Sequence, residues 1–195
     1  MSGRRILLTG GAGFVGSNLL DALVARGDRV TVIDNFNTYY DPAIKWANLE
    51  AHRGDPCVEV IEGDICDDGL WQALDPAAGW NAVLHVAARA GVRPSLEQPL
   101  LYVRCNVAGT AAALRWACSG ATPIPFLFAS SSSVYGDDNV PPYSEQGALP
   151  APVSRASLGP QRQPYLTRLQ VAVGQEHPTG TERKQQRGAA PAAQQ

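Results

Sequence analysis

The stretch that most constrains how this chain folds is Thr9-Gly10-Gly11-Ala12-Gly13-Phe14-Val15-Gly16. An apolar run, Ile6-Leu7-Leu8, precedes it and an amphipathic run, residues 17–26, follows it, so it is the turn of a strand–turn–helix unit. Glycines at positions 10, 13 and 16 meet three demands: a tight turn, a backbone able to touch a pyrophosphate, and a helix packed hard against its strand. The unpaired N–H groups of the first helical turn, with the positive end of the helix dipole, hold phosphates without a basic side chain. The turn therefore predicts a dinucleotide site.

Composition narrows the rest. A chain of 195 residues, 45% of them hydrophobic, suits one ordinary domain with a real core. A formal charge of -2 gives no electrostatic reason to expect nucleic acid or an anionic membrane as partner. Cys57, Cys66, Cys105 and Cys118 form no CxxC pair and stand among apolar neighbours, which predicts buried thiols in a reducing compartment. His52, His85 and His177 add no ligand spacing, so no metal is expected. The apolar run after Arg4-Arg5 is too short for a signal peptide, and no segment approaches the ~20 apolar residues of a membrane span. The expected location is cytoplasmic.

Strands are expected at 4–9, 29–33, 57–61, 81–86 and 124–129, and helices at 14–26, 42–52, 67–74 and 96–119. The last helix is read from Leu100, Val103, Val107, Ala111 and Leu114, which recur three or four residues apart, with Asn106 the odd residue among them. Alternation of this kind specifies an α/β fold, a doubly wound parallel sheet that binds ligands outside the carboxyl ends of its strands. The glycine turn, Asp34, Asp64, Ala87-Ala88 and the serine run from Ser130 all fall at that edge. Asp34, eighteen residues after Gly16, is placed to accept hydrogen bonds from an adenosine ribose and to repel a 2′-phosphate, favouring NAD over NADP. Asp64 is either placed to meet the adenine amino group or is a turn aspartate before a helix.

Four stretches resemble the extended short-chain dehydrogenases/reductases, and within them the NAD-dependent UDP-glucuronate 4-epimerases: TGGAGFVGSNL at 9–19, DNFNTYYDPAIKWANL at 34–49, HVAARAGVRPS at 85–95 and ASSSSVYG at 129–136. The resemblance runs from about residue 4 to Ser154. It implies a Rossmann-like sheet, incomplete at its carboxyl-terminal side, with NAD as cofactor and a UDP-sugar as substrate. The cofactor contacts it implies are Gly10, Gly13, Phe14, Val15, Gly16, Asp34, Asn35, Asp64, Ile65, Ala87 and Asn106. Ser131 would offer the catalytic hydroxyl to the sugar's reacting oxygen, with Ser132 and Ser133 close by. Arg93 is either the partner of an anionic sugar or a solvated loop arginine. The implied chemistry is oxidation at C4 of the sugar and re-reduction from the other face, with a tyrosine as base and a lysine four residues on to favour the phenolate.

The sequence departs from that pattern after Ser154. Its only lysines are Lys45 and Lys184, preceded four residues earlier by Asp41 and Gly180, so it contains no Tyr-x-x-x-Lys. Residues 155–195 are rich in glutamine and lack Trp, Phe, Ile, Met and Cys. Such a tail buries too little to offset its ordering entropy and is expected to be disordered. The chain thus reads as a cofactor domain over 1–154 and a divergent tail over 155–195, the product of a frameshift, alternative splicing or truncation. Three functional readings stay open: an epimerase-derived chain with little or no activity, a working enzyme with another base, and a non-catalytic NAD-binding or regulatory partner of a full-length homologue. The helix at 96–119 offers the face for that pairing or for a homo-oligomer.

Overall fold

A computed structural model describes residues 3–130. Ser131, Ser132, Ser133 and the tail expected from residue 155 lie outside the described residues, as does the boundary at Ser154. Five strands, β1 (Arg5–Thr9), β2 (Arg29–Asp34), β3 (Val58–Glu62), β4 (Ala82–His85) and β5 (Phe126–Phe128), form one sheet in the order β3-β2-β1-β4-β5. All four pairings are parallel. The chain steps outward from β1 to β3, then returns to β4 on the other side, which is the doubly wound topology expected.

Strand residues alternate between two apolar layers. Ile6, Leu8, Val30, Val32 and Leu84 face α1 (Phe14–Ala25) and α2 (Pro42–Leu49), packing with Leu20, Leu23 and Leu49. Leu7, Ile33 and Val83 face the other layer, with α3 (Asp68–Ala73) and α6 (Thr110–Ala117). Three tryptophans fill that second layer, Trp116 lying 5.6 Å from Trp71 and 5.9 Å from Trp80 between ring centres. Each indole N–H finds a backbone carbonyl: Trp71 on Ile65, Trp80 on Asp75 and Trp116 on Leu74. Large rings are thus buried with their polar handles satisfied.

The expected single helix over 96–119 is instead built in pieces. α4 (Val92–Glu97) stops at Gln98, α5 (Pro99–Tyr102) runs into a π-helical segment (Val103–Gly109), and α6 continues from there. Pro99 explains the break: it lacks an N–H and drives the preceding residue out of the helical region, and Gln98 has φ -129 and ψ 53. The apolar period also marks the outward face. Leu100, Val103 and Val107 are exposed at 84%, 56% and 62%, while Gly109, Ala113, Trp116 and Ala117 face the core. The cysteines differ from expectation too, for none is fully buried and Cys118 is exposed. Among the described residues no helix is long and apolar enough to cross a membrane.

Trp116→Ala should lower stability by about 3–5 kcal/mol in urea titrations, because it opens the centre of the tryptophan layer and orphans the Leu74 carbonyl. Leu100→Ala, on the outward face of the same helical segment, should stay within about 0.5 kcal/mol of the parent chain.

Candidate functional site

The glycine turn is shaped by close approaches. Gly10 has φ +71, and a Cβ there would lie 2.7 Å from the Ala87 backbone. A Cβ on Gly16 would collide with the Gly10 carbonyl, and one on Gly11 would lie 2.6 Å from Val32 Cγ1. Gly11 is thus a packing glycine that the spacing argument did not single out. Gly13 is the N-cap of α1, with no side-chain cap and no acidic residue in the first turn. Phe14 is exposed and Val15 half-buried there. An uncapped helix N-terminus beside a backbone without Cβ atoms is a cradle for a diphosphate.

Asp34 sits beside this turn, only 6% exposed. Its Oδ2 accepts the Ala12 N–H at 3.2 Å; its Oδ1 accepts the Phe36 N–H at 3.0 Å and the Lys45 ammonium at 2.9 Å. Lys45, itself 5% exposed, comes from α2 and is a residue that the sequence reading left without a role. Its signal was an invisible one, a lone lysine eleven positions beyond Asp34. Asn48, one helical turn further, donates to the Ala12 carbonyl at 2.9 Å, so both polar groups of Ala12 are held by side chains. Oδ1 is filled and Oδ2 keeps one lone pair for a ribose hydroxyl. Because Lys45 balances its charge, Asp34 repels a 2′-phosphate less than a free carboxylate would.

Two further expected contacts gather beside Asp34. Asn35 donates to Asp64 Oδ2 at 3.3 Å, and the Cys66 N–H donates to Asp64 Oδ1 at 2.8 Å. Burial acts to raise the Asp64 pKa, but these hydrogen bonds and the Arg104 charge outweigh it and hold the carboxyl below its usual range. Asp64 is therefore an anion with acceptor capacity left. Ile65 is buried, its side chain against Gly109 and its carbonyl on the Trp71 indole.

At the end of β4 the buried His85 bridges two threonines, Thr9 Oγ1 at 2.8 Å from Nδ1 and Thr110 Oγ1 at 2.9 Å from Nε2. Thr110 donates its only proton to the Asn106 carbonyl, so it accepts from Nε2–H. Thr9 accordingly donates to Nδ1, while its oxygen accepts the Ala87 N–H at 3.3 Å. Burial pushes the imidazole pKa down to about 4. Asn106, in the π-helical segment, spends its amide on one neighbour: Oδ1 accepts the Arg89 N–H at 2.8 Å and Nδ2 donates to the Arg89 carbonyl at 2.9 Å. It shapes the loop after Ala87. Arg93 lies on α4, exposed, beyond that loop.

The structure thus brings Gly10, Gly13, Phe14, Val15, Gly16, Asp34, Asn35, Asp64 and Ala87 to one edge of the sheet. The uncapped cradle, the remaining acceptors on Asp34 and Asp64 and the small residues after β4 fit a dinucleotide. No cluster of three metal-ligating side chains occurs among the described residues.

Residues 6–166 match the NAD dependent epimerase/dehydratase family. The chain is 44% identical over 155 residues to UDP-glucuronate 4-epimerase 1 of Arabidopsis thaliana, an alignment covering 78% of this chain and 35% of that protein. Among solved structures, the UDP-Glc/GlcNAc 4-epimerase of Campylobacter jejuni matches with a TM-score of 0.62 at 29% identity, covering 76% of this chain and 43% of that one. The UDP-glucose 4-epimerase of Brucella ovis, solved in complex with NAD, matches with a TM-score of 0.59 at 32% identity, covering 75% and 42%. The chain therefore spans less than half the length of these relatives.

Lys45→Met should destabilise the fold by about 3–5 kcal/mol in urea titrations, since it leaves Asp34 buried without its counter-charge. Acid should weaken the fold through His85. A folded pKa near 4 against an unfolded value near 6.5 means that its contribution is complete above about pH 6.5 and is lost as pH falls towards 4. The expected slope is up to about 1.4 kcal/mol per pH unit, and His85→Gln should remove it.

Proposed function

Because the chain belongs to the NAD-dependent epimerase/dehydratase family, we propose that residues 3–130 form the NAD-holding half-site of a UDP-glucuronate 4-epimerase-type protein. The observation that carries this reading is the uncapped N-terminus of α1 at Gly13, flanked by Asp34 on one side and Ala87 on the other. The amides of Phe14, Val15 and Gly16 bind the diphosphate, Asp34 Oδ2 orients the adenosine ribose, and Asp64 takes the adenine amino group. Asn35 steadies Asp64. Ala87 gives the cofactor a floor without a bulky side chain, and Asn106 fixes the loop that follows it. Bound NAD would supply the acceptor and donor of the sugar's C4 hydride.

On the substrate side, we assign Ser131 to orient the reacting oxygen, Ser132 and Ser133 as further substrate contacts, and Arg93 to pair with the uronate carboxylate. Tyr-x-x-x-Lys does not occur in the 195 residues. Loss of a positioned general base typically removes about 10²- to 10⁴-fold in rate. We therefore read this chain as a cofactor binder with little or no turnover of its own. Its exposed apolar stripe, including Leu96, Leu100 and Val103, favours pairing with a second copy, which sedimentation of the purified chain would reveal as a dimer, or with a full-length homologue, which sedimentation of the two mixed would reveal as a larger complex.

Calorimetric titration with NAD should give saturable binding that Gly13→Val abolishes, since a branched side chain would fill the cradle. Absence of binding by the folded parent chain would overturn the half-site. Measured C4 epimerisation of UDP-glucuronate by the purified chain would instead establish a working enzyme with another base.

A further inference from the structure

Three segments remote in sequence meet on one backbone oxygen. The Tyr39 hydroxyl, from the loop after β2, donates to the Ala90 carbonyl at 2.8 Å across 51 positions of sequence. The Tyr102 hydroxyl, from α5, donates to the same oxygen at 2.5 Å. A carbonyl has two lone pairs, so this pair of phenols saturates it. The receiving loop is shaped for the contact: Gly91 has φ +97, and a Cβ there would stand 2.9 Å from the Tyr39 hydroxyl. Asn106 holds the preceding residue, Arg89, by both of its backbone polar groups, and the Arg89 guanidinium lies 5.9 Å from the centre of the Tyr39 ring.

The sheet order gives this contact its consequence. β1 lies between β2 and β4, so a bond from the loop after β2 to the loop after β4 crosses the glycine turn that ends β1. The neighbouring Tyr40 touches that turn, its hydroxyl 3.7 Å from where a Gly13 Cβ would stand. A dinucleotide seated with its diphosphate on the turn has its adenosine beside Asp34, after β2, and its other end beside Ala87, after β4. The Tyr39–Ala90 bond spans the path between those two ends.

We propose that Tyr39 is a strap across the dinucleotide cleft, a positioning residue whose hydrogen bond to the Ala90 carbonyl must open for the cofactor to enter or leave. The inference rests on the dinucleotide reading given above. Opening costs one hydrogen bond, since Tyr102 keeps the carbonyl partly satisfied while Tyr39 swings away. Tyr102 joins α5 to the loop on one side of the turn only, so it steadies the strap's anchor without spanning the cleft.

The test uses the full chain. Stopped-flow release of NADH, chased with excess NAD, and the corresponding association rate are compared for the parent, Tyr39→Phe and Tyr102→Phe. Tyr39→Phe should speed both association and release by about threefold to tenfold, the net worth of one hydrogen bond, with Kd nearly unchanged. Tyr102→Phe should change both rates less. Equal effects of the two variants, unchanged rates, or a tighter Kd for Tyr39→Phe would each overturn the strap, the last by making Tyr39 a plug. Hydrogen exchange over residues 86–92 without cofactor supplies the independent readout: Tyr39→Phe should accelerate it, and unchanged exchange would overturn the contact itself. If the parent chain fails to bind NADH while that acceleration is seen, the dinucleotide reading fails and the contact stands.

Discussion

The Asp34 carboxylate is the point on which the site depends. It lies at the end of β2, next to the central strand, and takes an N–H from the glycine turn, another from the loop that follows it and a charged hydrogen bond from α2. A carboxylate so enclosed is stable only because its donors surround it; removing any of them would leave acceptor capacity buried without water. Phe36 shows what the arrangement imposes, for it holds φ +44, a region that non-glycine residues seldom adopt. Its ring is stacked on Trp46 at 3.9 Å between centroids, so packing and the Asp34 hydrogen bond together hold a conformation that a bulky side chain disfavours.

The other side of the turn is organised by neutral groups. The sequence Ala87 N–H, Thr9, His85, Thr110 and Asn106 carbonyl passes a single donor direction through the interior, and each member has a partner. A chain of this kind fixes the imidazole in one tautomer and couples β1, β4 and the π-helical segment without placing any net charge in the core. The two flanks thus differ in kind: a balanced ion pair at Asp34 and an uncharged relay beside Ala87. Family membership follows from the match over residues 6–166, and these two flanks give it a physical content in this particular chain.

What could be read from the sequence was what lies close together along it. The glycine turn and Asp34 were legible because strand, turn, helix and next strand fall within one short stretch with fixed spacing. The parallel order followed from alternation. Lys45 and Tyr39 were not legible as functional groups, since their meaning lies in a partner reached through folding and no periodic pattern marks them. Asn106 was expected as a cofactor contact; its amide serves Arg89, a contact across seventeen positions that the periodicity does not mark. The apolar period over 96–119 marked a face without revealing that the helix carrying it is broken at Gln98. Pro99 carried a warning of the break that the period overrode.

The position of β1 has a consequence for how the protein comes into being. Of these five strands the central one is synthesised before the others, and its partner on one side, β4, pairs Thr9 with His85, residues separated by most of the described chain. β2 can dock early, but the other edge of β1 stays open until β4 has been synthesised, a wait of roughly 4–15 s at typical elongation rates. During that interval Leu7 and Leu8, which end fully buried, have only half of their final surroundings. Translation speed through the intervening segment therefore sets how long an apolar strand edge is presented to chaperones and to other nascent chains.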